Sequence, residues 1–321
     1  MTMRETLESR PAIQVADAHH RFKDHCALQG ITFDVASRSL HGFVGPNGAG
    51  KTTTLKLLCT LLEPQRGHFR VLGHDIRQGV QRVRRRIGFM PDHMGMYRQM
   101  TVFEYLDFFA AAYGLAMSSR DSAIRDVLEL TDLAGRRDSM ISGLSRGMQQ
   151  RVSLARVLVS DPEVLLLDEP ASGLDPRARI ELMEILRELR RMGKTVFISS
   201  HILSELADLC DSVTIIDRGK IKYSGSMDKL LDGDGEQRTF RVTTSRDDEN
   251  ITEKLATLAD VATFESLEKA NEFQLTAGDG AADSNLLLQR LIEAGVHIEA
   301  FAPQRRHLND AFLDLTEEGV R

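Results

Sequence analysis

The chain has 321 residues, enough for about two domains of ordinary size. Its 41 basic and 47 acidic side chains leave a net charge of −6, which argues against a dominant basic surface for nucleic acid. Cys26, Cys59 and Cys210 have no metal-ligand spacing, and an odd, sparse set fits a reducing compartment better than a disulfide framework.

The first ten residues are polar and charged, unlike a signal peptide. The most apolar long window, Tyr105 to Met117, is too short to cross a bilayer and contains Asp107. Work at a membrane would therefore require spans from another chain. Short strands are expected at Ile13–Val15 and Ile31–Val35, around a polar loop that carries Phe22. An aromatic there either stacks on a base or packs into a small N-terminal sheet.

Gly42-Phe43-Val44 reads as the end of a buried strand. Gly45-Pro46-Asn47-Gly48-Ala49-Gly50-Lys51-Thr52 then fits the phosphate-loop pattern Gly-x-x-x-x-Gly-Lys-[Ser/Thr]. A polyphosphate needs several backbone N–H donors converging on it. Gly45, Gly48 and Gly50 allow close approach and angles closed to side chains. Lys51 supplies a point charge, Thr52 a hard oxygen for Mg²⁺, and Asn47 and Thr53 belong to the same cradle. A helix starting near Gly50 aims its positive end at the phosphates. The alternative is a glycine-rich turn that binds nothing. Leu55, Leu58, Cys59 and Leu62, at helical spacing downstream, argue against it.

Residues 69–91 predict a further strand pair. Arg82, Arg84, Arg85 and Arg86 read as a solvated helix face. Residues 101–160 look helical almost throughout. Thr101 is placed to cap one helix, a second spans roughly 119–131, and Ser145 is placed to cap a third. Val164–Leu167 is an apolar run suited to a parallel strand buried on both faces. It ends in Asp168-Glu169, and ligands in such folds lie at the carboxyl ends of strands. Two acids there are costly unless a cation or a reaction uses them. Asp175 and Pro176 start a helix to about Met192, closed by Gly193. Thr195–Ser199 is the next strand, and His201 follows on the same edge of the sheet. Asp217-Arg218-Gly219-Lys220 signals a hairpin. A linker is expected at 233–237. Beyond it, a βαββαβ order (strands 238–244, 261–266, 271–276 and 297–302; helices 250–258 and 284–294) with an added helix at 308–317 resembles a ferredoxin-like unit.

These motifs occur in the order found in the nucleotide-binding subunit of ABC transporters, which residues 13–230 resemble. The phosphate loop, the signature Leu144-Ser145-Arg146-Gly147-Met148, the acidic pair Asp168-Glu169, the loop Ser172–Asp175 and the switch His201 carry the resemblance. It implies an α/β fold: a P-loop NTPase cassette at 1–232 with a mixed-sheet core, a small antiparallel N-terminal sheet and a helical subdomain near 93–160. A small α+β accessory domain would fill 238–321. Leu308–Thr316 is similar to the accessory domain of ABC-2 type exporters.

The resemblance further implies that Phe22 stacks on adenine, while Thr52 and Asp168 bind Mg²⁺. Glu169 would be the general base and His201 would contact the γ-phosphate of ATP. Ser145 and Gly147 would close over ATP held by a second copy, with Asp175 across that contact. Implied partners are a homodimer mate formed on ATP and an integral membrane permease at the cytoplasmic face, with no nucleic acid. Gly88-Phe89-Met90-Pro91 should lead into Gln, but leads into Asp92. A carboxylate there can still reach Mg²⁺ or its water, and would tune the Mg²⁺ dependence. Competing classes are an importer subunit, a soluble ABC protein acting on ribosomes or DNA, and an inactive module. Intact Lys51, Asp168, Glu169 and His201 argue against the last.

Overall fold

The computed structural model describes residues 11–23, 25–93, 95–202, 204–232, 239–245, 254–255, 258, 261–267, 271–277 and 284–304. The chain forms two compact units, one running to Met227 and the next starting at Asp228.

The first unit opens with a long hairpin, β1 (Ile13–Phe22) and β2 (His25–Val35). The strands outrun the apolar stretches at 13–15 and 31–35 because ladder pairing continues through polar residues as far as Phe22 opposite His25. Phe22 thus ends a strand rather than lying in a loop. Next come β3 (Leu40–Val44), α1 (Lys51–Leu58), β4 (Arg66–Val71), β5 (His74–Asp75), α2 (Val80–Arg84) and β6 (Ile87–Met90). Helix α1 stops before the expected Leu62, and Thr60 just past its end takes a positive φ of 62°. The expected strand pair at 69–91 is divided between two sheets. β4 joins β2, β1 and β5, whereas β6 joins the core sheet.

Three helices follow: α3 (Val102–Ala112), α4 (Met117–Leu130) and α5 (Arg146–Leu158). Thr101 and Glu104 form a reciprocal capping box at the start of α3, a device that stabilises by about 1 kcal/mol. Ser145 caps α5 by accepting from Met148 N. The core resumes with β7 (Val164–Asp168), α6 (Pro176–Arg191), β8 (Thr195–Ser200), α7 (Ser204–Ala207), β9 (Ser212–Asp217) and β10 (Lys220–Ser226). Arg218 and Gly219, both at positive φ (46° and 74°), make the two-residue turn between β9 and β10.

The core sheet runs in the order β10-β9-β3-β8-β7-β6. β9-β3-β8-β7-β6 pair in parallel, and β10 is antiparallel on the edge. β3, β7 and β8 are buried along their whole length. Phe33 from the small sheet stacks against Phe43 and Phe197 of the core sheet at 5.4 and 5.9 Å, tying both sheets into one apolar cluster. The parallel order places the carboxyl ends of β3, β7 and β8 side by side. The ends of these strands carry the phosphate loop, the acidic pair and His201.

Helix α8 (Met227–Asp232) starts on the last residue of the first unit and runs into the second, which continues with β11 (Thr239–Thr244), β12 (Val261–Ser266), β13 (Glu272–Ala277), α9 (Ser284–Glu293) and β14 (Ile298–Gln304). The sheet order is β12-β13-β11-β14, antiparallel throughout. Alternation sends Phe240, Val242, Phe273, Leu275 and Ala277 to one face, where they pack with Leu287 and Leu291 of α9. The linker at 233–237 and the helix at 308–317 lie outside the described residues. So does most of the helix expected at 250–258.

Candidate active site

A cleft of about 420 Å³ opens over these strand ends. Phe22, Asn47, Gly48, Gly50, Lys51, Thr52, Thr53, Asp92, Glu169 and His201 all line it. Two different physical demands fix the glycines of the loop. Gly48 and Gly50 sit at positive φ, 81° and 114°. Gly45 has no such angle; a Cβ there would lie 2.2 Å from the Ile216 carbonyl oxygen. Gly50 also caps α1, so the first backbone N–H groups of that helix point into the cleft.

Lys51 is buried, and its Nζ donates to the Gly45 carbonyl at 2.6 Å and to that of Pro46 at 3.3 Å. It also lies 3.4 Å from Glu169 Oε1. The other carboxylate oxygen, Oε2, is 2.6 Å from His201 Nδ1. Glu169 adopts φ +49°, a left-handed conformation that costs a residue with a side chain about 1 kcal/mol or more. The turn directs its carboxylate between a lysine and a histidine instead of along the strand. Asp168, the last residue of β7, is 2% exposed and is not among the residues that line the cleft. Its Oδ1 accepts from Ser199 Oγ at 2.7 Å.

Residues 28–172 match the protein family described as ABC transporter. Over 310 residues, the chain is 34% identical to the daunorubicin resistance ATP-binding protein DrrA3 of Streptomyces coeruleorubidus, covering 97% of each chain. It is 36% identical over 222 residues to the Nod factor export ATP-binding protein I of Burkholderia lata, covering 69% of this chain and 73% of that one. The chain belongs to the ABC transporter ATP-binding family. Among solved structures, an ATP-binding subunit of an ABC transporter superposes with a TM-score of 0.61 at 31% identity, over 68% of this chain and 91% of the other. The cbiO1 protein of Clostridium perfringens, part of the ABC transporter complex cbiONQ, superposes at 0.63 and 26%, over 77% and 96%. This ABC ATPase is therefore an ATP-hydrolysing nucleotide-binding cassette of the P-loop type.

Within the cassette, Ser145, Gly147 and Asp175 stand apart from the lining of that cleft. Each has a local job. Ser145 caps α5, and Asp175 Oδ1 accepts from Ala178 N at 3.0 Å to cap α6. Gly147 lets α5 approach α6, because a Cβ there would meet the Ala178 Cβ at 2.7 Å. Arg146 reaches across to the Ser172 carbonyl at 3.3 Å, joining the signature segment to the loop after the acidic pair. Asp92 lines the cleft, and its Oδ2 is 2.8 Å from His93 Nδ1.

Sequence reasoning missed Ser199. It also missed His25, and it named Ser172 only as the start of the loop Ser172–Asp175, whereas both line the cleft. The one available signal for Ser199 was a hydroxyl just after the apolar run Val196–Ile198, two residues before His201.

Proposed function

We propose that this ATPase drives export through a separate membrane permease, working as a head-to-tail homodimer at the cytoplasmic face. The reading rests on one observation above all. Phosphate-binding, acidic and switch residues share one cleft, while Ser145 and Gly147, at a helix start suited to an anion, do not line it. A second copy would bring its own Ser145 and Gly147 to that cleft, with Asp175 nearby. The export direction draws on the names of two relatives, one for Nod factor export and one for daunorubicin resistance. No helix among the described residues is long and apolar enough to cross a membrane. We also assign 1–232 to the cassette, with its helical subdomain near 93–160, and read 238–321, beyond a linker at 233–237, as a ferredoxin-like accessory domain.

In this reading Phe22, 45% exposed at the rim of the cleft, stacks on the adenine. Gly45, Asn47, Gly48, Gly50, Lys51, Thr52 and Thr53 hold the phosphates. Thr52, Asp168 and Asp92 offer only hard oxygens, which fits Mg²⁺. That ion is held by one or two carboxylates beside phosphates and water. When bound, it would neutralise charge on the phosphate oxygens. Glu169 takes a proton from the attacking water, held in place by His201, which also reaches the γ-phosphate. Lys51 neutralises phosphate charge once released from Glu169.

Complementation tests the head-to-tail arrangement. Lys51→Ala and Ser145→Arg chains are each expected to be inactive alone. Mixed, they form one intact site per heterodimer and regain part of the activity. If the mixture stays dead and ATP induces no dimer of Glu169→Gln in sedimentation, the arrangement is wrong. Recovery of a membrane permease with the tagged protein from detergent-solubilised membranes would support the transport role; recovery of ribosomes or DNA instead would overturn it.

A further inference from the structure

Ser199 is the next-to-last residue of β8, directly opposite Asp168 of β7. It is fully buried. Its hydroxyl has one proton and donates it to Asp168 Oδ1 at 2.7 Å. Its lone pair then faces the backbone N–H of Glu169, which donates to it at 3.0 Å. The direction of both bonds is set by the chemistry: a carboxylate can only accept and an amide N–H can only donate. One hydroxyl therefore touches both acids, one through its side chain and the other through its backbone. The neighbouring Ser200 does a different job, using its Oγ to accept from Ile202 N at 2.9 Å in the turn that carries His201.

We propose that Ser199 is a positioning residue of the hydrolytic site. It fixes which oxygen of Asp168 faces the nucleotide, and it pins the left-handed peptide that aims Glu169. This rests on the roles given above to Asp168 and Glu169. Two consequences separate. With Ser199 in place, Asp168 Oδ1 is occupied and Oδ2 is presented in a single orientation. Without it, the carboxylate is free to rotate and Glu169 is free to relax toward ordinary backbone angles, carrying its side chain away from Lys51 and His201. Metal-linked nucleotide binding reads the first effect, and turnover reads the second.

The test compares Ser199→Ala with Ser199→Thr and Ser199→Cys in the full chain. Nucleotide affinity is measured with a fluorescent ATP analogue in Mg²⁺ and in EDTA, and ATPase rates are measured across Mg²⁺ concentrations. For Ser199→Ala, affinity in EDTA should match wild type. The extra affinity conferred by Mg²⁺ should fall about 10-fold, and kcat by about 10- to 100-fold, the effect of losing a hydrogen bond to a charged group. The threonine variant, which keeps an O–H, should recover both. The cysteine variant, a weak donor of similar size, should fall between them. Unchanged Mg²⁺ dependence and kcat in a folded Ser199→Ala protein would overturn the proposal. So would equal losses in all three variants with equal drops in melting temperature, which would make Ser199 a packing residue only. Glu169→Gln is run in parallel. If that variant turns over, the assignment of the base fails, yet the Mg²⁺-linked affinity of Ser199→Ala still decides the contact to Asp168.

Discussion

Glu169 Oε2 lies 2.6 Å from His201 Nδ1, across the ends of two adjacent strands. The same carboxylate lies 3.4 Å from Lys51 through its other oxygen. Glu169 therefore meets Lys51 of the phosphate-loop motif and His201 at once. Replacing it by Gln keeps the size and removes the basic oxygen. Turnover should fall about 10²- to 10⁴-fold while ATP binding persists. Single-turnover hydrolysis alongside equilibrium binding checks this. Wild-type rates would remove Glu169 as the base.

The 2.2 Å gap between a Cβ at position 45 and the Ile216 carbonyl makes Gly45→Ala a probe of loop packing. The loop must move, and Lys51 loses the carbonyl that holds its ammonium. Stability should drop by about 1–3 kcal/mol, and nucleotide affinity should fall with it. Gly48→Ala provides the contrast, since nothing lies within 4 Å of that Cβ and only the φ of 81° is strained. Its stability loss should be smaller, as thermal melts of the two variants would report.

Asp92 lines the cleft beside His93, where the resemblance implies Gln. Asp92→Gln removes one negative charge near Glu169 and the phosphates. We expect the Mg²⁺ concentration for half-maximal ATPase activity to shift, with kcat changed less. Superimposable Mg²⁺ titrations for variant and wild type would remove this role.

His41 is buried between the sheets, stacked on Phe197 at 5.5 Å, with Nδ1 on Ser212 Oγ and Nε2 on Thr214 Oγ1. Burial pushes its pKa down to about 3. Between that value and the ordinary 6.5 of an unfolded histidine, only the unfolded chain takes the proton. Its contribution to stability is therefore complete above about pH 6.5 and is lost as pH falls toward 3. At pH 5 the loss should reach about 2 kcal/mol. His41→Gln should flatten this acid dependence whatever it does to stability at pH 7. Denaturant midpoints at the two pH values measure it.

Much of the site was legible because its chemistry is local. The Gly45–Thr52 spacing, the apolar run ending in Asp168-Glu169, and the caps at Thr101, Ser145 and Asp175 each depend on residues close together in the chain. Hairpin ends were less legible. Ladder hydrogen bonds carried β1 to Phe22 through polar residues that show no apolar alternation. The assignment of β4 and β6 to different sheets was also hidden, because partner choice depends on strands far away in sequence.

By itself the sequence determined which side chains stand at the phosphate-loop spacing and at the acidic end of a buried strand, since a wrapped loop and a buried strand end are written in short spacings. Only the tertiary structure decided that Ser199 ties Asp168 to Glu169, that Glu169 takes a left-handed turn, and that Gly45 is needed for space rather than for its angle. Each of these depends on what lies opposite, across a parallel sheet whose neighbouring strands are dozens of residues apart. Hydrophobic burial fixes that pairing, and no local pattern encodes it.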